Sequence, residues 1–155
     1  MLFLLFQLGA DRYALDAARV EAVLPLLELK KIPHAPRGVA GIFNYRGSPV
    51  PAVDLSDLLL GQPAAERLTT RILLVYHEDA AGKKQLLGLI AEHATQVVRK
   101  EAADLKTPGL RLGAPPFLGP VLLDGCGMVQ LVRTDRLLTN DVRDRLFAET
   151  LESTT

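Results

Sequence analysis

Gly41-Ile42-Phe43-Asn44-Tyr45-Arg46-Gly47-Ser48-Pro49-Val50-Pro51-Ala52-Val53-Asp54-Leu55 is the stretch from which the rest of the chain can be read. Two apolar runs, Gly41-Ile42-Phe43 and Val50-Pro51-Ala52-Val53, flank Asn44-Tyr45-Arg46-Gly47, a hairpin turn in which Gly47 supplies a positive φ. Pro25, Pro33, Pro36, Pro49 and Pro51 recur too closely for a long helix to survive between residues 25 and 51. Beyond the hairpin a polar turn leads into a Leu-Leu helical turn at Leu58-Leu59. Asp57 reads there as a helix-start carboxylate near the positive end of the dipole.

The same pattern returns later. Val50 to Leu59 matches Val129 to Leu138, each a strand, a polar turn and a Leu-Leu helical turn. Upstream, Tyr13-Ala14-Leu15 through Val23 echoes Leu87-Gly88-Leu89 through Val97, and Phe3 to Gly9 has a counterpart in Ile72 to Glu78. Three paired segments in one order indicate two copies of a unit of about 70 residues; chance likeness between apolar strands is the alternative. A polar hairpin loop spans Glu78 to Lys84, and Asp124-Gly125 turns between Val121-Leu122-Leu123 and Met128-Val129-Gln130-Leu131. Short strands with frequent turns predict a mainly β chain closed into small antiparallel barrels, because closure removes exposed edges. Lys100 to Pro116 lacks periodicity and reads as loop. A C-terminal helix is expected over 140–151. Thr139, Asn140 and Asp141 offer cap oxygens, and Val142, Leu146 and Leu151 share a face that docks on the barrels in preference to a partner.

Composition narrows the function. Among 155 residues, Lys+Arg and Asp+Glu are 18 each, so the net charge is zero and no nucleic-acid partner is expected. A hydrophobic share of 48% argues against disorder and for a real core. The opening Met1 to Phe6 lacks the basic flank and cleavage site of a secretory signal. No apolar run approaches the ~18–20 residues needed to span a bilayer, so no direct membrane insertion is expected. With Cys126 alone, no internal disulfide can form, and the chain reads as cytoplasmic.

Catalytic groups are sparse. His34, His77 and His93 are scattered, and none stands at metal-ligand spacing from Cys126 or another histidine. Cys126 sits between two glycines and is favoured as an incidental turn residue over a reactive thiol. Gly82-Lys83 lacks the rest of a phosphate loop. Asp54 and Asp57 could form an acid–base pair with a histidine in a small β-barrel enzyme; that is the rival to a non-enzymatic reading. No catalytic residues, cofactor or metal are expected.

The hairpin resembles the G-[IV]-x-N-x-R-G-x-x-[VI]-P-[VI]-[VI]-D-L signature of CheW-like domains, the chemotaxis coupling proteins and the matching module of their histidine kinases. Phe6-x-Leu8-Gly9, Tyr13-x-Leu15, Val20-x-x-Val23 and Ile32-Pro33-x-x-Pro36-x-x-Val39-x-Gly41 fall at family spacings without a gap. The likeness is strong over residues 2–60 and continues weakly to 138. It implies one CheW-like domain over 1–155: two five-stranded SH3-like barrels side by side and the C-terminal helix. The lobes are expected over about 10–68 and 69–138, with strand 2–9 assignable to the second.

The resemblance also implies a non-enzymatic adaptor. Its partners would be the cytoplasmic tip of a methyl-accepting receptor and the regulatory domain of a chemotaxis-type histidine kinase. It would be recruited to membrane receptor arrays, with no kinase or receiver segment of its own. A same-fold competitor that sequesters a partner without activating is a further alternative. Partner-binding residues carried over are Arg46, the signature arginine, with Asn44, Gly41 and Ile42 in its hairpin, and Val20 and Val23 on the preceding strand. Arg46 could either tie turn carbonyls or a carboxylate, or touch a partner. For Val20 and Val23 a place in the buried core is the favoured alternative. Some positions depart from the family. Ala22 stands where a Glu is common, leaving Glu21 facing the other way, and Pro120 and Arg133 replace a usual glycine and Asp or Asn. Ala91-Glu92-His93-Ala94 replaces a valine-rich strand end. These departures suggest a chemosensory pathway other than swimming.

Overall fold

A computed structural model describes residues 1–78, 81–107, 117–125, 127–139 and 142. The decisive hairpin forms as its residues dictate. Strands β4 (Val39–Tyr45) and β5 (Ser48–Asp54) pair antiparallel, from Val39 opposite Val53 to Tyr45 opposite Ser48. Arg46 (φ 51°) and Gly47 (φ 85°) make the two-residue connection. Positive φ at both positions is the I′ geometry whose twist matches that of paired strands. The sequence pointed to Gly47 alone; Arg46 also takes the left-handed conformation. A six-residue helix, α1 (Leu55–Leu60), follows β5 directly.

Among the described residues three strands precede this hairpin and five follow it: β1 (Leu2–Leu8), β2 (Asp11–Asp16), β3 (Val20–Pro25), β6 (Arg71–Glu78), β7 (Lys84–Arg99), β8 (Leu105–Lys106), β9 (Leu118–Asp124) and β10 (Gly127–Val132). The first barrel has the order β3-β6-β7-β5-β4, and a bridge between Lys30, beyond β3, and Ile42 of β4 closes it. The second runs β7-β1-β2-β10-β9-β8. Strand β7 serves both. Residues Lys84–Ala91 pair with β6, and residues from Glu92 to Arg99 pair with β1. Between them Leu5 faces Gln96 while Gln7 faces Glu92, a bulge on β7 in which His93 has φ 49°. A bulge bends its strand, and here it turns β7 from one barrel into the other.

The duplication is visible in the pairing. Ala14 of β2 lies parallel to Leu131 of β10, just as Gly88 of β7 lies parallel to Ala52 of β5. Those are the residues matched between the two copies in the sequence. The lobes, however, are not contiguous. Strand β2 was expected with residues 10–68 but pairs in the second barrel, while β6 and half of β7, expected with 69–138, complete the first. Each copy therefore lends strands to both barrels. Within Lys100 to Pro116, read as loop, Ala102–Asp104 form a 3-10 turn and Leu105-Lys106 pair with Leu122 and Val121.

Burial follows this plan. Phe43, Val50, Ala52, Ile72, Leu74 and Ile90 fill the first barrel, and Phe3, Leu5, Ala14, Leu122, Val129 and Leu131 the second. The largest cluster lies between them and includes Phe6, Leu8, Leu15, Leu55, Leu73, Val75 and Leu89. Alternate residues of β1 and β6 thus face different cores, which is why both strands are buried on two sides. Glu92 joins the parts, with Oε1 accepting from Ala65 N–H at 2.7 Å and Oε2 from Gly9 N–H at 3.4 Å. The expected C-terminal helix lies outside the described residues except at Val142. Its N–H donates to Thr139 Oγ1 at 3.2 Å, a capping contact, and its side chain packs on the central cluster. Cys126 also lies outside the described residues.

Candidate protein-docking surface

The hairpin holds four of the six candidate residues, and the structure separates their roles. Gly41 is buried at the barrel seam with φ 152°. A Cβ there would lie 2.5 Å from the Lys30 carbonyl oxygen. That carbonyl accepts from Ile42 N–H at 2.8 Å, and Lys30 N–H donates to the Ile42 carbonyl at 2.8 Å. Gly41 therefore closes the barrel and offers no side chain to a partner. Ile42 is half-buried beside the seam, whereas Asn44 and Arg46 are exposed at the tip.

Asn44, rather than Arg46, ties the turn, its Oδ1 accepting from Gly47 N–H at 2.8 Å. The Arg46 guanidinium carbon sits 5.2 Å from the centroid of the Tyr45 ring, within cation–π range. Tyr45 is itself half-buried against the interior of the first barrel. On β3, side chains alternate. Val20 packs on the central cluster, Ala22 and Leu24 on the first barrel's interior, and Glu21 and Val23 face solvent. Val23 is 46% exposed, so core burial does not explain it.

Further exposed apolar residues escaped the sequence reading. Leu123 and Met128, 48% and 71% exposed, sit opposite each other on the β9–β10 hairpin of the second barrel. Leu2 and Val97 are exposed on β1 and β7. Val97 is the copy-two counterpart of Val23, so the duplication held the signal for it. Leu123 belongs to a continuous apolar run, in which alternation gives no clue to the outward face.

The rival acid pair is occupied structurally. Asp54, 9% exposed, is the N-cap of α1. Its Oδ1 accepts from Asp57 N–H at 3.2 Å and its Oδ2 from Ala64 N–H at 2.9 Å. Asp57 lies in the first helical turn, as its spacing indicated. The histidines remain apart: His34 in the exposed β3–β4 connection, His77 buried on β6 with Nδ1 2.9 Å from the Glu78 carbonyl, and His93 at the β7 bulge. Among the described residues no cluster of three or more His, Cys, Asp or Glu could hold a metal ion.

Desolvation pushes the Asp54 carboxyl pKa above its ordinary value, outweighing the backbone amides that lower it. A raised folded-state value means the native chain binds the proton more tightly than the unfolded chain. This group's contribution is thus complete below the unfolded carboxylate value, about pH 4, and is lost as pH rises through the folded value. Denaturation in urea across that range should show the stability gap between the native chain and Asp54→Asn narrowing as pH rises. A gap that widens would mean the amides dominate over burial.

A family model described as the CheW-like domain matches residues 2–142. The chain belongs to the CheW-like domain family. It is 26% identical over 141 residues to the Chemotaxis protein CheW of Rhizobium meliloti, covering 90% of this chain and 88% of that one. A Chemotaxis protein CheW of Klebsiella aerogenes is 24% identical over 147 residues, covering 90% of this chain and 82% of that one. The crystal structure of scaffolding protein TtCheW from Thermoanaerobacter tengcongensis superposes with a TM-score of 0.79 at 23% identity, over 94% of this chain and 92% of that one, which establishes the fold. Within this CheW-like chain the two copies have diverged at the strand exit. Asp54 caps α1, but Arg133, at the matching position, makes no side-chain cap and is followed only by the three-residue 3-10 turn Thr134–Arg136. A carboxylate or amide oxygen can accept the free N–H groups there, and a guanidinium cannot.

Proposed function

We propose that this chain is a non-enzymatic adaptor of a chemosensory array. It docks the cytoplasmic tip of a methyl-accepting receptor and the regulatory domain of a chemotaxis-type histidine kinase, and so places the kinase under receptor control. The observation that carries this reading is the CheW-like match over 2–142 on a pair of barrels joined through the shared strand β7. Outward apolar side chains lie on both barrels, Val23 on the first and Leu123 and Met128 on the second. A bridge between two proteins needs separate adhesive patches on a body that does not flex. The use of Asp54 to cap α1 and to accept from Ala64 N–H supports an adaptor over an acid–base enzyme.

Among the described residues no helix is long and apolar enough to cross a membrane. In this reading the chain is a cytoplasmic protein recruited to the array by its receptor. We assign it to a pathway other than swimming because Ala22, Pro120 and Arg133 depart from the family pattern. Deletion of its gene should leave swimming chemotaxis intact. Lost swimming bias in the deletion strain would overturn that assignment.

The deciding experiment is a reconstituted kinase assay with receptor, kinase and this chain. Receptor-dependent activation that requires the chain is expected. Binding without activation would replace the adaptor by a sequestering competitor, and recovery of neither partner in a pull-down would overturn both. In the same assay Arg46→Ala should weaken coupling about tenfold, the effect of one lost charge-assisted hydrogen-bonded contact. The exposed side chain predicts little change in its urea midpoint.

A further inference from the structure

We infer that Tyr45 is a positioning residue for docking: its ring holds the Arg46 guanidinium as a pre-oriented donor for a carboxylate on the protein partner. The inference rests on the adaptor reading and extends it to a residue outside the candidate set. Three observations carry it. The backbone under Arg46 is fixed by the I′ turn, with φ 51° and 85° at Arg46 and Gly47, and by the Asn44–Gly47 hydrogen bond of 2.8 Å. The Tyr45 ring is anchored, half-buried against the interior cluster that includes Phe43 and Val50. The guanidinium carbon lies 5.2 Å from that ring's centroid, while the residue is exposed and, among the described residues, makes no hydrogen bond or ion pair.

A guanidinium stacked on an aromatic face loses rotational freedom but keeps its in-plane N–H donors. Those donors match a carboxylate bidentately, a stronger and more directional contact than a mobile lysine could make. Pre-orientation lowers the ordering cost that a long side chain otherwise meets on binding. An acidic side chain on the partner is the group whose charge and shape complement this tip.

The test measures calorimetric binding of the purified cognate kinase regulatory domain, and separately of the receptor tip, to the native chain, Tyr45→Leu, Tyr45→Phe, Arg46→Ala and the double variant Tyr45→Leu/Arg46→Ala. Tyr45→Leu should weaken one partner about two- to fivefold, the range of an exposed cation–π contact. Tyr45→Phe, which keeps the ring, should bind as the native chain does. The double variant should bind no worse than Arg46→Ala alone, and added salt should weaken the native complex more than the Arg46→Ala complex. Ring-current shifts of the Arg46 side-chain protons should vanish in Tyr45→Leu and persist in Tyr45→Phe, a readout that mere stability would not move. Native-like binding by Tyr45→Leu alongside a loss in Arg46→Ala overturns the positioning role and leaves the adaptor standing. Native-like binding by Arg46→Ala overturns the docking role of the whole tip, whereas the adaptor itself fails only if neither partner binds the native chain.

Discussion

Phe6→Ala should cost about 3–5 kcal/mol and lower the stability of both barrels in one transition. Phe6 is 1% exposed in the cluster between the barrels, where its ring stacks on Tyr13 with centroids 6.0 Å apart and planes 17° apart. The cluster draws on strands of both barrels, including β1, β2, β6 and β7. Neither barrel can lose this packing alone, because β7 runs through both and each sequence copy supplies strands to each. Urea unfolding followed by far-ultraviolet circular dichroism and by Tyr fluorescence should give coincident curves, both shifted equally by the substitution. Two separated transitions would show that the barrels are independent folding units.

Gly41→Ala should be the most damaging change in the hairpin, at about 2–4 kcal/mol. Two effects add. The backbone at φ 152° is a conformation that side chains rarely adopt, and holding a non-glycine residue in such a region costs about 1–3 kcal/mol. The new Cβ would also stand 2.5 Å from the Lys30 carbonyl, a backbone atom that cannot swing aside without stretching both hydrogen bonds of the Lys30–Ile42 bridge. Docking should fall only in proportion to the folded fraction. The contrast with Arg46→Ala, which should weaken docking at unchanged stability, separates the seam of the barrel from its tip. A Gly41→Ala chain of native stability that no longer docks would restore Gly41 to the contact surface.

The local elements were legible because local chemistry determines them. The proline spacing between 25 and 51, the Asn-x-Arg-Gly turn and the Asp54 to Leu59 exit specify a hairpin and a capped helical turn without help from distant residues. The matched pairs Ala14–Leu131 and Gly88–Ala52 show that the duplication was legible too, since a repeated unit repeats its pairing. The division of strands between barrels was not. A pairing partner is chosen by burial across the whole molecule, and the apolar Tyr13-Ala14-Leu15 of β2 reads the same whichever barrel it joins. The bulge at His93 carries no sequence signal of its own, yet it decides that β7 belongs to both sheets.

The candidate site divides along the same line. From the residues alone Gly41, Ile42, Asn44 and Arg46 form one motif, and Val20 and Val23 one strand. Only the closed barrel assigns Gly41 to the seam, Val20 to the shared core and Val23 to the surface, and only the folded tip lays Arg46 over Tyr45. Sequence determined the hairpin, its capped exit and the repeat, because those follow from φ preferences and apolar patterning within a few residues, whereas the short strand Leu105–Lys106 exists only through its pairing with β9. Tertiary structure decided which side chains remain in water, because exposure depends on what the rest of the chain, far away in sequence, packs against them.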